Sequence, residues 1–305
     1  MPLSEMAQAF MGALNETFPD VGGTCLDAAE ARALLGAAPK LPMPDVDLAA
    51  LEDRTIPGPD GEIPVRISTP LDAGAPPAVV VYFHGGGWVV GDLDTHDRTT
   101  QRLAEATGAV VVSVDYRLAP EHRFPAAADD AYAATAWAAE AYAPTHLVVA
   151  GDSAGGNLSA VVSLMARDRG GPAIDHQLLV YPVIDHAMDT ESYDVNGTDY
   201  FLTRTKMTWF WDQYCPGEER ADAYASPIRC GDLAGLPPAS VLTAEMDPLR
   251  DEGEAYADAL RAAGVPTESM RGEGLFHGFF GLDELLPDAQ PAWTWAVEQV
   301  RAAIR

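Results

Sequence analysis

The sequence carries side chains whose types and order suit acyl transfer. Ser153 lies in Gly151-Asp152-Ser153-Ala154-Gly155-Gly156, between the apolar run 146–150 and a helix-like run from Asn157 to Arg167. A short β-branched run, a GxSxG turn and a helix is the sequence form of a nucleophile elbow, where glycines relieve crowding around a strained serine. Taken alone, the pattern also fits a Gly-rich strand-to-helix turn with Ser153 as a helix cap. A serine hydroxyl attacks poorly at neutral pH, so it needs a general base within hydrogen-bond reach and a third group that orients the base. Of the seven histidines, only His277, in the Gly-flanked stretch 273–280, lies well beyond Ser153 with an acidic loop residue between them. The chain order is then Ser, acid, His.

The acid should follow a strand at the same sheet edge, and Asp247 does. It comes directly after the run 239–244 and before Pro248, whose ring restricts Asp247 to extended or turn geometry. Glu245, Asp251 and Glu252 compete, but Asp251 and Glu252 fall in the first turn of the next helix, where acids commonly complement the dipole. Acyl transfer also needs N–H donors converging on the tetrahedral oxyanion. His84-Gly85-Gly86-Gly87 follows the strand-like run 79–83, the position of an HGGG oxyanion loop. Gly85 and Gly86 are expected to donate, with Ala154 as a third oxyanion-hole donor from the elbow.

These loops need a scaffold that ends several strands at one edge. Residues 1–45 read as two short helices, 4–14 and 26–35, set off by Pro19, Gly22-Gly23, Pro39, Pro42 and Pro44. Residues 48–54 and 62–68 read as a hairpin at the sheet edge, since Pro64 is poorly tolerated in a central strand. Strand-like runs at 78–83, 109–114, 146–150, 177–181, 239–244 and 267–271 then alternate with helices at 97–107, 125–141, 154–167, 250–263 and 292–304. This alternation predicts an α/β fold with parallel strands joined by right-handed crossovers. Between Ile184 and Ile228 it is broken by an aromatic-rich stretch without strand signal, which is where a lid would be built.

At 305 residues and 48% hydrophobic content, the chain supports a packed core in a single domain. Forty-six acidic against 19 basic residues give a formal charge of −27, which makes nucleic-acid phosphates and anionic membranes poor partners. The three cysteines lack CxxC spacing and neighbouring histidine clusters, so neither a disulfide framework nor a metal site is indicated. With no basic-then-apolar leader and no apolar run of about 18 residues, stable membrane insertion is not expected and a cytoplasmic location is.

From about residue 48 to the end, the sequence resembles the hormone-sensitive-lipase-like (family IV) esterases of the α/β-hydrolase superfamily. The resemblance rests on HGGGW at 84–88, DYRLAPEH at 115–122, FPAA at 124–127, GDSAGG at 151–156, YFL at 200–202 and DPLRDE at 247–252. Asp152 before the serine is similar to the GDSAG rather than the GTSAG subgroup. The resemblance implies an α/β-hydrolase fold whose mostly parallel sheet is flanked by helices, with a helical cap from residues 1–45 and 186–225 over Ser153. It also implies that His84 orders its loop and that Arg117 and Glu121 form a structural pair. Phe276 departs from the family pattern, which usually has a smaller aliphatic residue before the histidine.

The expected chemistry is hydrolysis of small, short- to medium-chain carboxylic esters through an acyl-enzyme, without cofactor or metal. Ser153 is the nucleophile, His277 the base and Asp247 the group that stabilises the imidazolium. Trp88, Tyr181, Phe201, Leu202, Phe279 and Phe280 are the expected pocket walls, and each could equally be core. The alternatives are a lactonase, amidase or carbamate hydrolase with the same triad, or a non-catalytic receptor for a small ligand. An exposed edge strand near 267–271 suits a homodimer.

Overall fold

The computed structural model describes residues 3–43 and 45–305; Met1, Pro2 and Pro44, which belong to the expected N-terminal cap segment, lie outside the described residues. In chain order the elements are α1 (Glu5–Thr17), α2 (Ala28–Ala37), β1 (Leu48–Gly58), β2 (Gly61–Pro70), β3 (Val79–Phe83), α3 (Leu93–Thr107), β4 (Val110–Val114) and α4 (Ala126–Tyr142). They continue with β5 (Leu147–Asp152), α5 (Ala154–Arg169), β6 (His176–Val180), α6 (Glu191–Asn196), α7 (Arg204–Tyr214), β7 (Ala239–Met246), α8 (Arg250–Ala262), β8 (Thr267–Phe276) and α9 (Gln290–Ala303). The eight strands make one sheet in the order β1-β2-β4-β3-β5-β6-β7-β8. From β4 to β8 the pairing is parallel, whereas β1–β2 and β2–β4 are antiparallel.

The β-branched runs form strands buried on both faces. Val79, Val81 and Phe83 of β3 pack with residues of α4 and α5, while Val80 and Tyr82 pack with residues of α1, α3 and α9. Side chains of period two thus supply two cores, which is why β3 reads as a continuous apolar run rather than an alternating one. Because the strands are parallel, the loops after β3, β5, β7 and β8 emerge at one edge, the usual place for a site in such sheets.

Several boundaries differ from the sequence reading, two of them for identifiable reasons. Helix α3 begins at Leu93 rather than at residue 97, because Asp92 and Thr95 form a reciprocal capping box, with bonds of 2.8 and 2.9 Å. Strand β8 continues to Phe276, past residue 271, and so delivers the chain directly to His277. Pro64 sits in β2, the inner strand of the hairpin that forms the sheet edge as expected. It is tolerated because it lies opposite Asp115, just past the end of β4; Asp115 N–H still donates to the Pro64 carbonyl at 3.0 Å, so only one terminal ladder bond is lost.

The segment between β6 and β7 folds as α6, α7 and two short 3₁₀ turns. Helix α7 buries Trp209, Phe210, Trp211 and Tyr214, and Trp209 Nε1–H donates to the Leu26 carbonyl at 3.1 Å, joining this segment to the N-terminal helices. Arg32 of α2 reaches the loops after β3 and β4, donating to the Val89 carbonyl at 2.7 Å and the Ala119 carbonyl at 2.6 Å.

Candidate active site

Strand β5 ends and α5 begins around a single residue, Ser153, whose φ of 57° and ψ of −117° place it in a region that a non-glycine residue seldom occupies. The turn is fixed from both sides: Ser153 N–H donates to the Val180 carbonyl at 2.9 Å, and the Ser153 carbonyl accepts from Asn157 at 3.0 Å and Val183 at 3.2 Å. A Cβ at Gly155 would run into the Phe83 carbonyl, and one at Gly151 into the Gly155 backbone. The glycines therefore let β3 and α5 approach closely enough for the elbow to form.

Ser153, His277 and Asp247 lie in one hydrogen-bonded line. His277 Nε2 is 3.0 Å from Ser153 Oγ, and His277 Nδ1 is 2.7 Å from Asp247 Oδ2. A carboxylate can only accept, so Nδ1 carries the proton and Nε2 is free to receive the serine proton. Asp247 is fully buried, and its other oxygen accepts the Leu249 N–H at 2.9 Å. The loop is also held from above, where the Asn196 amide donates to the carbonyls of Glu245 at 3.1 Å and Asp247 at 3.3 Å. The competing acids are engaged elsewhere. Glu245 accepts the Gly274 N–H at 2.6 Å, Asp251 the Ser192 N–H at 2.7 Å, and Glu252 the Ile184 N–H at 2.7 Å. Burial holds the Glu252 carboxyl well above the usual range despite the N–H groups of Ile184 and Asp185.

The loop after β3 corrects one assignment. Gly85 N–H does not face an open position; it is shared between Asp152 Oδ1 at 3.1 Å and His96 Nε2 at 3.2 Å. Among the described residues no protein acceptor takes the N–H of Gly86, Gly87 or Ala154. His84 supports the loop as expected: its ring stacks on Tyr116 with centroids 4.3 Å apart, and its carbonyl accepts the Tyr116 hydroxyl at 2.7 Å. Burial lowers the His84 pKa to about 4, which keeps the ring neutral. Burial pushes the Asp152 carboxyl up, but His96 and the Tyr82 hydroxyl outweigh it, and the group titrates below its ordinary value.

The expected pocket residues divide. Tyr181 lies against His277, with ring centroids 4.5 Å apart, and Phe279 packs edge-on to Tyr181 at 5.4 Å. The Phe201 ring lies 3.3 Å from where a Gly278 Cβ would stand, and Leu202 is buried in the apolar cluster that contains Phe210. Two others belong to the core instead. Trp88 is fully buried and stacks on Tyr214 at 4.2 Å, and Phe280 packs on Trp293 of α9 at 5.1 Å. The expected Arg117–Glu121 pair is also absent. Arg117 binds Asp130 through two nitrogens at 2.8 Å, and Glu121 binds Arg32 of α2, so the two side chains serve different joints.

Residues 80–281 match the model of a family with the α/β-hydrolase fold. The chain is 43% identical to the carboxylesterase NlhH of Mycobacterium tuberculosis, over 92% of this chain and 90% of that one. It is 45% identical to the carboxylic ester hydrolase LipN of the same organism, over 84% of this chain and 70% of that one. The chain belongs to the hormone-sensitive-lipase-like esterases of the α/β-hydrolase superfamily. A hyperthermophilic esterase from Pyrobaculum calidifontis has the same fold, with a TM-score of 0.90 and 40% identity over the full length of both chains.

The protein is accordingly a serine carboxylesterase, and the receptor alternative is set aside. No helix among the described residues is long and apolar enough to cross a membrane. The sequence does not single out Gly87, Asn196, His96 or Arg32. Gly87 was visible in the triple-glycine run, but which of its glycines point outward depends on what the first one binds. The other three act across long sequence separations, and no local pattern marks them.

Proposed function

We propose that the esterase hydrolyses small, short- to medium-chain carboxylic esters, with Ser153 as nucleophile, His277 as general base and Asp247 as the group that orients the base and stabilises its imidazolium. The observation that carries this reading is the hydrogen-bonded line from Ser153 Oγ through His277 to the buried Asp247 carboxylate. His277 takes the hydroxyl proton as Ser153 attacks the ester carbonyl, then returns it to the leaving alkoxide. Water activated by the same Nε2 cleaves the acyl-enzyme. The unoccupied N–H groups of Gly86, Gly87 and Ala154 are the donors for the oxyanion, Gly87 replacing Gly85.

The preference for short chains is supported by burial: Ser153 is only 7% exposed, and Tyr181 and Phe201 crowd the loop that carries His277. The segments within 1–45 and 186–225 form the cap, the Trp209–Leu26 bond being the observation that joins them. A homodimer through the outer edge of β8 and a cytoplasmic location complete the proposal; sedimentation equilibrium and cell fractionation test them. The central test is turnover of p-nitrophenyl acetate by Ser153→Ala and His277→Ala after both are shown to be folded. Near-wild-type turnover by either would remove the triad assignment. A series of aryl esters of increasing acyl length tests the preference, and flat activity through long chains would refute it. Matched lactone, amide and carbamate substrates separate the esterase reading from its neighbours.

A further inference from the structure

Gly85 spends its N–H on a carboxylate that no step of the reaction uses. Asp152, the last residue of β5, stands beside the end of β3 because Phe83 pairs with Gly151 in the parallel register. Its side chain is buried, and one oxygen, Oδ1, accepts both the Tyr82 hydroxyl at 2.8 Å and the Gly85 N–H at 3.1 Å. Both donors come from β3 and the loop it carries. The other oxygen occupies the space where a Gly85 Cβ would stand, so the glycine is needed for this contact. On the far side, the loop rests on Tyr116, through the His84 ring and carbonyl.

We propose that Asp152 is a positioning residue: it ties the oxyanion loop to the elbow, so that the Gly86 and Gly87 N–H groups keep a fixed distance from Ser153 Oγ and Ala154 N–H. The proposal rests on the assignment of Ser153 as nucleophile and of those N–H groups as oxyanion donors. The loop and the elbow sit on different strands, and oxyanion stabilisation needs donors from both to converge on one atom. A side chain that belongs to the elbow and bonds the loop enforces that convergence directly.

The arrangement also handles an electrostatic cost. A bare carboxylate next to the nucleophile would oppose the negative charge that develops on the oxyanion. His96 of α3 places Nε2 3.4 Å from Asp152 Oδ1, and its Nδ1 is held 3.0 Å from Thr95 Oγ1. The Thr95 hydroxyl itself donates to the Asp92 carbonyl at 2.8 Å, so it accepts from His96 Nδ1–H and fixes the ring. The Tyr82 hydroxyl and the Gly85 N–H together face the carboxylate with positive potential and draw its charge away from the oxyanion position.

The test compares Asp152→Ala, Asp152→Asn, Tyr82→Phe and Ser153→Ala with the wild type. It reads kcat and KM on p-nitrophenyl acetate and the affinity for an aryl trifluoromethyl ketone, which adds to the serine and places an oxyanion in the hole. The matching methyl ketone reports ground-state binding. Asp152→Ala should lose roughly 10- to 100-fold in kcat with KM little changed, the scale expected when reacting groups are displaced by about 1 Å. Trifluoromethyl ketone affinity should fall in parallel, and methyl ketone affinity should not. Asp152→Asn keeps an acceptor oxygen and should recover most of both. Wild-type kcat in Asp152→Ala, or a loss of kcat without loss of trifluoromethyl ketone affinity, would overturn the proposal. If Asp152→Ala does not fold, Tyr82→Phe decides: a several-fold parallel loss supports the tether, and no change in either quantity overturns it. Activity in Ser153→Ala would instead overturn the triad on which the proposal rests.

Discussion

Replacing Asp247 by Asn isolates the role of the acid because the structure dictates how the amide must sit. Asp247 Oδ1 accepts the Leu249 N–H at 2.9 Å, and Oδ2 faces His277 Nδ1 at 2.7 Å. The side chain is fully buried, so neither contact can be handed to solvent. An amide oriented with its NH₂ towards Leu249 would set donor against donor and leave a buried N–H unsatisfied, at a cost of about 1–3 kcal/mol. The amide oxygen therefore takes the Leu249 N–H, and the NH₂ points at His277 Nδ1. His277 must then accept at Nδ1 and carry its proton on Nε2, the atom 3.0 Å from Ser153 Oγ. In that tautomer the base cannot receive the serine proton. The expected loss in kcat is about 10⁴-fold, equivalent to about 5.5 kcal/mol in the barrier, with little change in KM. The assay is steady-state hydrolysis of p-nitrophenyl acetate alongside thermal unfolding, where Asn should stay within a few degrees of the wild type because the Leu249 bond survives. A folded Asp247→Asn enzyme with more than one tenth of wild-type kcat would refute the reasoning, since the proton would then not depend on the tautomer that Asp247 selects.

Other perturbations test the scaffold. His176 is buried at the start of β6 beside Ser240, and burial lowers its pKa from 6.5 to about 4. Between these values the unfolded chain binds a proton that the folded protein refuses, so the neutral ring's contribution is full above pH 6.5 and lost as pH falls to about 4. His176→Gln should flatten the stability–pH curve in this window by up to about 3 kcal/mol, measured by urea unfolding; an unchanged slope would show that His176 is not the group responsible. Gly155→Ala puts a methyl group into the Phe83 carbonyl, and expression with a normal melting temperature and normal turnover would contradict the close approach of β3 and α5. Asn196→Ala removes the amide bonds to the Glu245 and Asp247 carbonyls and should cost about 1 kcal/mol of stability. Its kcat should fall by roughly tenfold, as expected for a slight displacement of the acid; an effect on stability alone would limit Asn196 to packing.

Much of the site could be read along the chain because its parts sit at strand ends, where local composition changes sharply. The β-branched run before Ser153, the Pro after Asp247 and the glycines around His277 each mark a strand leaving the sheet, and parallel strands bring such exits to one edge. The aromatic residues were less legible. Trp88, Phe201 and Phe280 all lie next to motif residues, but adjacency does not say which way a side chain points. Trp88 takes a positive φ of 60° and stacks on Tyr214 of α7, a partner set by how the inserted helices pack.

Ser153, Asp247 and His277, each beside residues that force a turn, are legible in chain order from the amino-acid sequence. That information is local, since strand propensity, glycine and proline act over a few residues. How the N–H groups near Ser153 are spent depends on contacts between distant strands. Gly85, Gly86 and Gly87 are the same residue type in one run, and nothing local distinguishes them. Only the parallel register of β3 with β5 sets Asp152 against Gly85, and that contact consumes the first N–H and leaves the next two open to an oxyanion.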